Sequence, residues 1–177
     1  MLLATTRTPI DLADLPGIVC SGYVGVIGDV APRDACRRIA IAQLVLEHGR
    51  RAHNPAGPLW GVYCWNLGNQ DAIPTDLAPS PGESPVTLFW TVPECEGTSC
   101  QRHAQHLRRA FASAQEGAAG YWRRLRDAYP EAAAAAGAGD APAFVAGLRQ
   151  RGYFTGSTAA YLATLSALVR EGAAKGW

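Results

Sequence analysis

Glu47 closes an apolar helical run, and that position suits acid chemistry. The run Ile39-Ala40-Ile41-Ala42-Gln43-Leu44-Val45-Leu46 is apolar almost all round and leads into Glu47-His48-Gly49. A helix with that pattern is buried on most faces, and Gly49 is a natural left-handed stop. Glu47 is therefore expected at the edge of a core. Desolvation there disfavours its anion, and the negative end of the helix dipole acts in the same direction. A carboxyl kept protonated near neutral pH is what glycosidic cleavage needs as general acid. The competing reading is a surface glutamate at a frayed helix end.

The next loop carries Trp65-Asn66-Leu67-Gly68-Asn69. Aromatic faces and amides together bind sugars, so Trp65, Asn66 and Asn69 are candidate substrate contacts. The same residues also suit an ordinary turn beside buried tryptophans. Cys95, Cys100, His103 and His106 lie within twelve residues. Their spacing departs from that of common zinc sites, so no metal is expected there. A Cys95–Cys100 disulfide would need an oxidising compartment. Cys64 beside Trp65 reads as packing rather than as a nucleophile.

The elements that must hold these residues follow from the pattern. A helix is expected over Pro32–Leu46, with proline at its first position and Asp34 in its first turn. Ile39, Leu44 and Leu46 should lie in the core, and Ile41 and Val45 should be covered. Asp11 to Val26 is mixed, consistent with a short helix and a turn. Arg50 to Pro85 is a loop region rich in glycine, proline and asparagine. Val86–Val92 reads as a strand, with a turn at Glu94–Ser99 and a return strand near Cys100–Leu107. Ser113-Ala114-Gln115-Glu116 is a capping box. It opens a helix to about Tyr129, with Ala114, Ala118, Tyr121, Trp122 and Leu125 inward and Pro130 as its stop. Glu131–Asp140 is either helix or linker. Asp140 caps a helix from Pro142 to Arg151, stopped by Gly152. The last helix runs from about Thr158 to Glu171, with Tyr161, Leu165, Leu168 and Val169 inward. The order is helices, a small β lobe, then helices. That makes one mostly helical α+β domain over residues 32–177 with a cleft between lobes, and residues 1–31 pack on it.

The bulk numbers narrow the classes. The chain has 177 residues, nearly half of them apolar, and a formal net charge of +1. A charge so small gives no footprint for nucleic acid. Arginines cluster at 102, 108 and 109 and at 123, 124 and 126. They read as solvated helix faces or as contacts to an anionic polymer such as cell-wall glycan. No stretch is apolar enough to span a membrane. Five cysteines do not read as a disulfide scaffold. Arg7, Asp11 and Asp14 stand where a signal peptide needs an apolar core, so none is expected.

Four segments resemble the flagellar-type glucosaminidases, peptidoglycan hydrolases of the lysozyme superfamily. Ala42-Gln43-Leu44-Val45-Leu46-Glu47-His48-Gly49 is similar to their Ala-Gln-x-x-Leu-Glu-x-Gly motif. Asn66-Leu67-Gly68-Asn69 is similar to the asparagine-rich loop that follows. Phe111 to Glu116 resembles the aromatic-x-Ser segment that opens the next helix. Gly152-Tyr153-Phe154-Thr155 with Tyr161 resembles the Gly-Tyr-x-Thr…Tyr segment near the family's end. Departures exist: His48-Gly49-Arg50-Arg51 lacks the family's tryptophan, the asparagine loop lacks its phenylalanine, and Gln70–Pro85 is an insert. These bear on linkage specificity more than on fold.

The resemblance implies a lysozyme-like fold with a β lobe beside an active-site cleft. It implies a cofactor-free glycoside hydrolase that cuts the peptidoglycan glycan strand as a glucosaminidase or muramidase. Glu47 would be the acid. Thr91-Val92-Pro93-Glu94 best matches the segment carrying the second carboxylate, with Glu96 two residues away. Tyr153 would line the cleft and Tyr161 would lie on the substrate side. A lytic transglycosylase needs only Glu47 and leaves an anhydro product. A non-catalytic wall-binding or assembly module on the same fold is a different class. A protein made in the cytoplasm without a signal peptide would need another route to the wall, in the periplasm or outside the cell. A phage lysin, a tail-associated wall hydrolase or an injected effector each fits.

Overall fold

The computed structural model describes residues 1–49, 58–59, 62–72, 86–90 and 107–177. Among them are six α-helices and one two-stranded antiparallel sheet. The helices are α1 (Leu15–Tyr23), α2 (Asp34–His48), α3 (Ala114–Ala128), α4 (Pro130–Ala138), α5 (Ala141–Gln150) and α6 (Thr158–Lys175). Strands β1 (Leu88–Trp90) and β2 (Leu107–Arg109) pair with Phe89 opposite Arg108. The protein is thus mostly helical α+β, as its sequence pattern implies.

Helix α2 lies at the centre and packs against α1, α4 and α6. Ile39, Ile41, Leu44 and Val45 are all buried. Each such side chain removed from water contributes roughly 1.5–3 kcal/mol. Packing holds this helix, because Arg33 at its N-cap makes no side-chain cap. The helix starts two residues after Pro32, since Arg33 is still extended. Leu46 is only half-buried and packs at the margin of the core. The helix ends at Gly49 with φ +64°, a backbone angle that costs glycine little.

Helix α3 buries Ala114, Ala118, Tyr121, Trp122 and Leu125. Ser113 Oγ accepts from the Glu116 N–H at 3.2 Å, and Glu116 Oε2 accepts from the Ala112 N–H rather than that of Ser113. Pro130 does not simply end this helix. Its fixed φ and missing N–H suit a first helical position, and it opens α4. The alanine-rich segment is therefore helix, and its small side chains let α4 lie close against α5.

The N-terminal residues join the same core through Ile10, Leu12, Leu15, Ile18 and Val19. Ahead of α1 the chain runs along distant segments. Leu3 N–H donates to the Leu88 carbonyl, Thr8 N–H to Val62, and Ile10 exchanges backbone bonds with Leu59. At the other end α6 continues past Glu171 to Lys175. Trp177 then folds back into the core, its N–H donating to the Gly172 carbonyl.

Candidate active site

Glu47 occupies the last turn of α2 and is partly buried. The Tyr161 hydroxyl donates to Glu47 Oε1 at 2.8 Å. Tyr161 lies in the first turn of α6, where Ser157 Oγ caps the helix by accepting from the Ala160 N–H. Its ring stacks on Phe154, with centroids 4.3 Å apart and planes 4° from parallel. Phe154 and Tyr153 follow the end of α5. That turn is fixed by Gly152 N–H donating to Arg149, Tyr153 N–H to Leu148, and Arg149 Nη1 to the Phe154 carbonyl. Tyr153 also meets the ring of Tyr129 edge-on, at 5.2 Å.

One turn before Glu47, Gln43 is fully buried and on the same face of α2. Its Oε1 accepts from the buried Tyr121 hydroxyl at 2.7 Å. Its amide nitrogen reaches toward Tyr153 and Tyr161, enough to favour their phenolates. It completes no hydrogen bond of good geometry with either. Glutamate, amide and three tyrosines thus form one polar cluster inside an apolar helical core.

Burial raises the pKa of Glu47 above its ordinary value. The Tyr161 hydrogen bond and the positive charges of Arg124 and Arg108 act against this, and burial prevails. Burial and the Glu47 anion both push the hydroxyls of Tyr153 and Tyr161 upward. Both tyrosines therefore stay protonated donors while Glu47 titrates. A carboxyl whose anion is disfavoured in this way is suited to act as a proton donor.

The Trp65–Gln70 loop sits on α3. Cys64, Trp65 and Asn69 all have positive φ, unusual for residues with side chains. The loop is tied at several points. Cys64 N–H donates to the Thr6 carbonyl, Trp65 N–H to Thr8 Oγ1, and Phe111 N–H to the Cys64 carbonyl. His48 Nε2 donates to the Leu67 carbonyl at 2.6 Å. Asn66 is buried and closes the loop on itself: Nδ2 donates to the Gln70 carbonyl and Oδ1 accepts from the Gln70 N–H. Both ends of its side chain are engaged there. Asn69 Oδ1 accepts from Arg108 Nη1 at 2.6 Å, and Arg108 also pairs with Asp71. Asn69 thereby orients a cation that acts on Glu47. Trp65 is half-buried against the core.

Of the residues singled out in the sequence, Glu47, Tyr153 and Tyr161 come together directly, and Asn69 is linked to them through Arg108. Glu94 and Glu96 lie outside the described residues, as do Cys95, Cys100, His103 and His106. Gln43, Tyr121 and Arg124 emerge only from the structure. One signal existed for Gln43, a lone amide in an apolar run four residues before a glutamate. No described helix is long and apolar enough to cross a membrane.

No family model and no curated protein sequence matches the chain. Among solved structures, it is similar to the glycoside hydrolase domain of Salmonella typhimurium FlgJ. That likeness covers 93% of this chain and 87% of that one, with a TM-score of 0.54 and 21% identity. The chain shares its fold with a glycoside hydrolase domain.

Proposed function

We propose that this protein is a peptidoglycan hydrolase that cuts the glycan strand, with Glu47 as general acid. The observation that carries this reading is the environment of Glu47. Burial holds its carboxyl toward the protonated form, and a neutral tyrosine donates to one of its oxygens. With Oε1 occupied by Tyr161, the proton resides on Oε2 and is free for a leaving-group oxygen. The fold of a glycoside hydrolase domain supports the same chemistry. Tyr153, beside the acid, orients the attacking water or the sugar's acetamido group. Glu94 is the proposed base, and Trp65 and Asn69 border the sugar. Asn66 shapes that border by fixing the loop.

The test is turnover of purified peptidoglycan by wild type and Glu47→Gln, with mass analysis of the products. Glu47→Gln should stay folded and lose activity by about a hundred- to ten-thousand-fold, the usual worth of a general acid. Reducing ends identify hydrolysis, whereas anhydro ends identify a transglycosylase. Glu47→Gln activity within about tenfold of wild type would remove Glu47 from the mechanism, since that loss is well below the usual contribution. Binding without turnover by wild type would favour a wall-binding module.

A further inference from the structure

We infer that Tyr121 and Gln43 are positioning residues which fix the direction of the hydrogen bond from Tyr161 to Glu47. The inference deepens the reading of Glu47 as the acid and rests on it for its catalytic meaning.

The argument begins with the Gln43 amide. Its two ends are nearly the same shape but opposite in hydrogen-bonding sense. Tyr121 decides between them, because its hydroxyl donates to Oε1 at 2.7 Å in a site closed to water. The amide nitrogen then lies on the other side, near enough to Tyr153 and Tyr161 to act on both phenols, and it is buried with no hydrogen bond of its own. An N–H dipole near the Tyr161 hydroxyl, even without a completed hydrogen bond, disfavours a proton pointing back at it and leaves Glu47 Oε1, at 2.8 Å, as the acceptor. Were the amide reversed, Tyr161 would find an acceptor in Gln43. It could then turn from Glu47, or accept a hydrogen bond from the protonated carboxyl that should face substrate. The buried amide is thus held in one sense by a donor tyrosine on α3. Neither Gln43 nor Tyr121 touches the reacting atoms.

The groups acting on Glu47 come from several elements. They are Tyr161 on α6, Arg124 and Tyr121 on α3, Arg108 on β2, and Tyr153 in the turn after α5. The two arginines favour the anion whichever way the amide points. Loss of the Tyr161 donor is the change that an amide reversal produces, and it raises the pH at which Glu47 ionises.

The experiment is a carbon-13 NMR titration of protein labelled at the glutamate carboxyls, with Glu47 assigned by its absence in Glu47→Gln. Tyr121→Phe should move the Glu47 midpoint up by about one pH unit, the scale of one hydrogen bond to a charged group. Tyr161→Phe should move it up by a similar amount. The double variant should move it no further than Tyr161→Phe alone, because Tyr121 acts through Tyr161. An unchanged midpoint in Tyr121→Phe would overturn the inference. So would a Tyr121→Phe shift that persists undiminished without Tyr161. Should Tyr121→Phe not fold, Gln43→Glu tests the same point, since a carboxylate cannot donate to Tyr161. Repulsion between the two carboxyls raises the Glu47 midpoint by itself, so the reading is the difference: the rise should be larger with Tyr161 present than in a Tyr161→Phe background, and an equal rise in both would overturn the inference. Peptidoglycan turnover is measured separately on the same variants. If the midpoints follow the pattern but the alkaline limb of activity does not, Glu47 is not the acid, although the positioning stands.

Discussion

At the residue scale, the proposed chemistry depends on a carboxyl whose charged form is disfavoured. That property has a consequence for stability that needs no substrate. The pKa of Glu47 is higher in the folded chain than in the unfolded one. The folded state therefore binds more protons between those two values, and stability falls as pH rises through that window. The contribution is fully present below the unfolded glutamate value and is lost above the folded one. Glu47→Gln removes the ionisation while keeping the size of the side chain and an oxygen that can accept from Tyr161. Its melting temperature relative to wild type should thus be higher at pH 8 than at pH 4. Calorimetry at the two pH values checks this. An equal difference at both would mean that Glu47 ionises in the folded chain as easily as in water.

At the element scale, local signals were legible where a single stretch of chain decides the outcome. The stripe and cap of α3, the stop at Gly49 and the cap at Asp140 each depend on residues within a few positions of one another. The alanine-rich α4 was ambiguous in sequence because alanine favours a helix without saying what it packs on. Gln43 was legible as part of a motif but not as part of a network. Its partner Tyr121 lies 78 positions away. The loop on α3 depends in turn on Gly117, where an added Cβ would collide with the Trp65 carbonyl. Gly117→Ala should destabilise by about 1–3 kcal/mol through overpacking. That outweighs the gain of up to about 1 kcal/mol that alanine brings to a helix. Gly137→Ala in α4 is the control, because a Cβ there meets nothing within 4 Å. Melting curves should move down for the first variant and up for the second. The same direction for both would show that helix propensity, not the Trp65 loop, governs position 117.

At the scale of the whole molecule, the site is assembled from both ends of the chain toward α2. Glu47 and Gln43 come from α2, Tyr161 from α6, Tyr121 from α3 and Arg108 from β2. The likeness to a solved glycoside hydrolase domain also spans nearly the full length. The sequence showed least about residues 1–14, because their order comes from partners about fifty or more positions away. Ile10 pairs with Leu59 and Arg7 with Tyr63, while Thr6 and Thr8 hold Cys64 and Trp65. Leu3 N–H and the Met1 carbonyl bond to Leu88, so the segment flanks β1 as well.

This segment should be integral to the fold rather than an appendage. Ile10 and Leu12 are 3% and 8% exposed. Deleting residues 1–12 removes both, at roughly 1.5–3 kcal/mol each, and frees the loop that orients Arg108 through Asn69. Total stabilities of single domains are about 5–15 kcal/mol, so the deletion should take a large share. For a chain of this size about 1 kcal/mol moves the melting temperature by roughly 2–4 °C. A fall on the order of 10 °C or more is therefore expected, and, under the proposed function, reduced peptidoglycan turnover with it. Substituting Ile10→Ala and Leu12→Ala together, in the full-length chain, separates the two effects. The pair should cost stability while leaving the Thr6 and Thr8 bonds to the loop, so its activity should exceed that of the deletion at a temperature where both are folded. A melting temperature unchanged by the deletion would show that residues 1–12 are dispensable to the core.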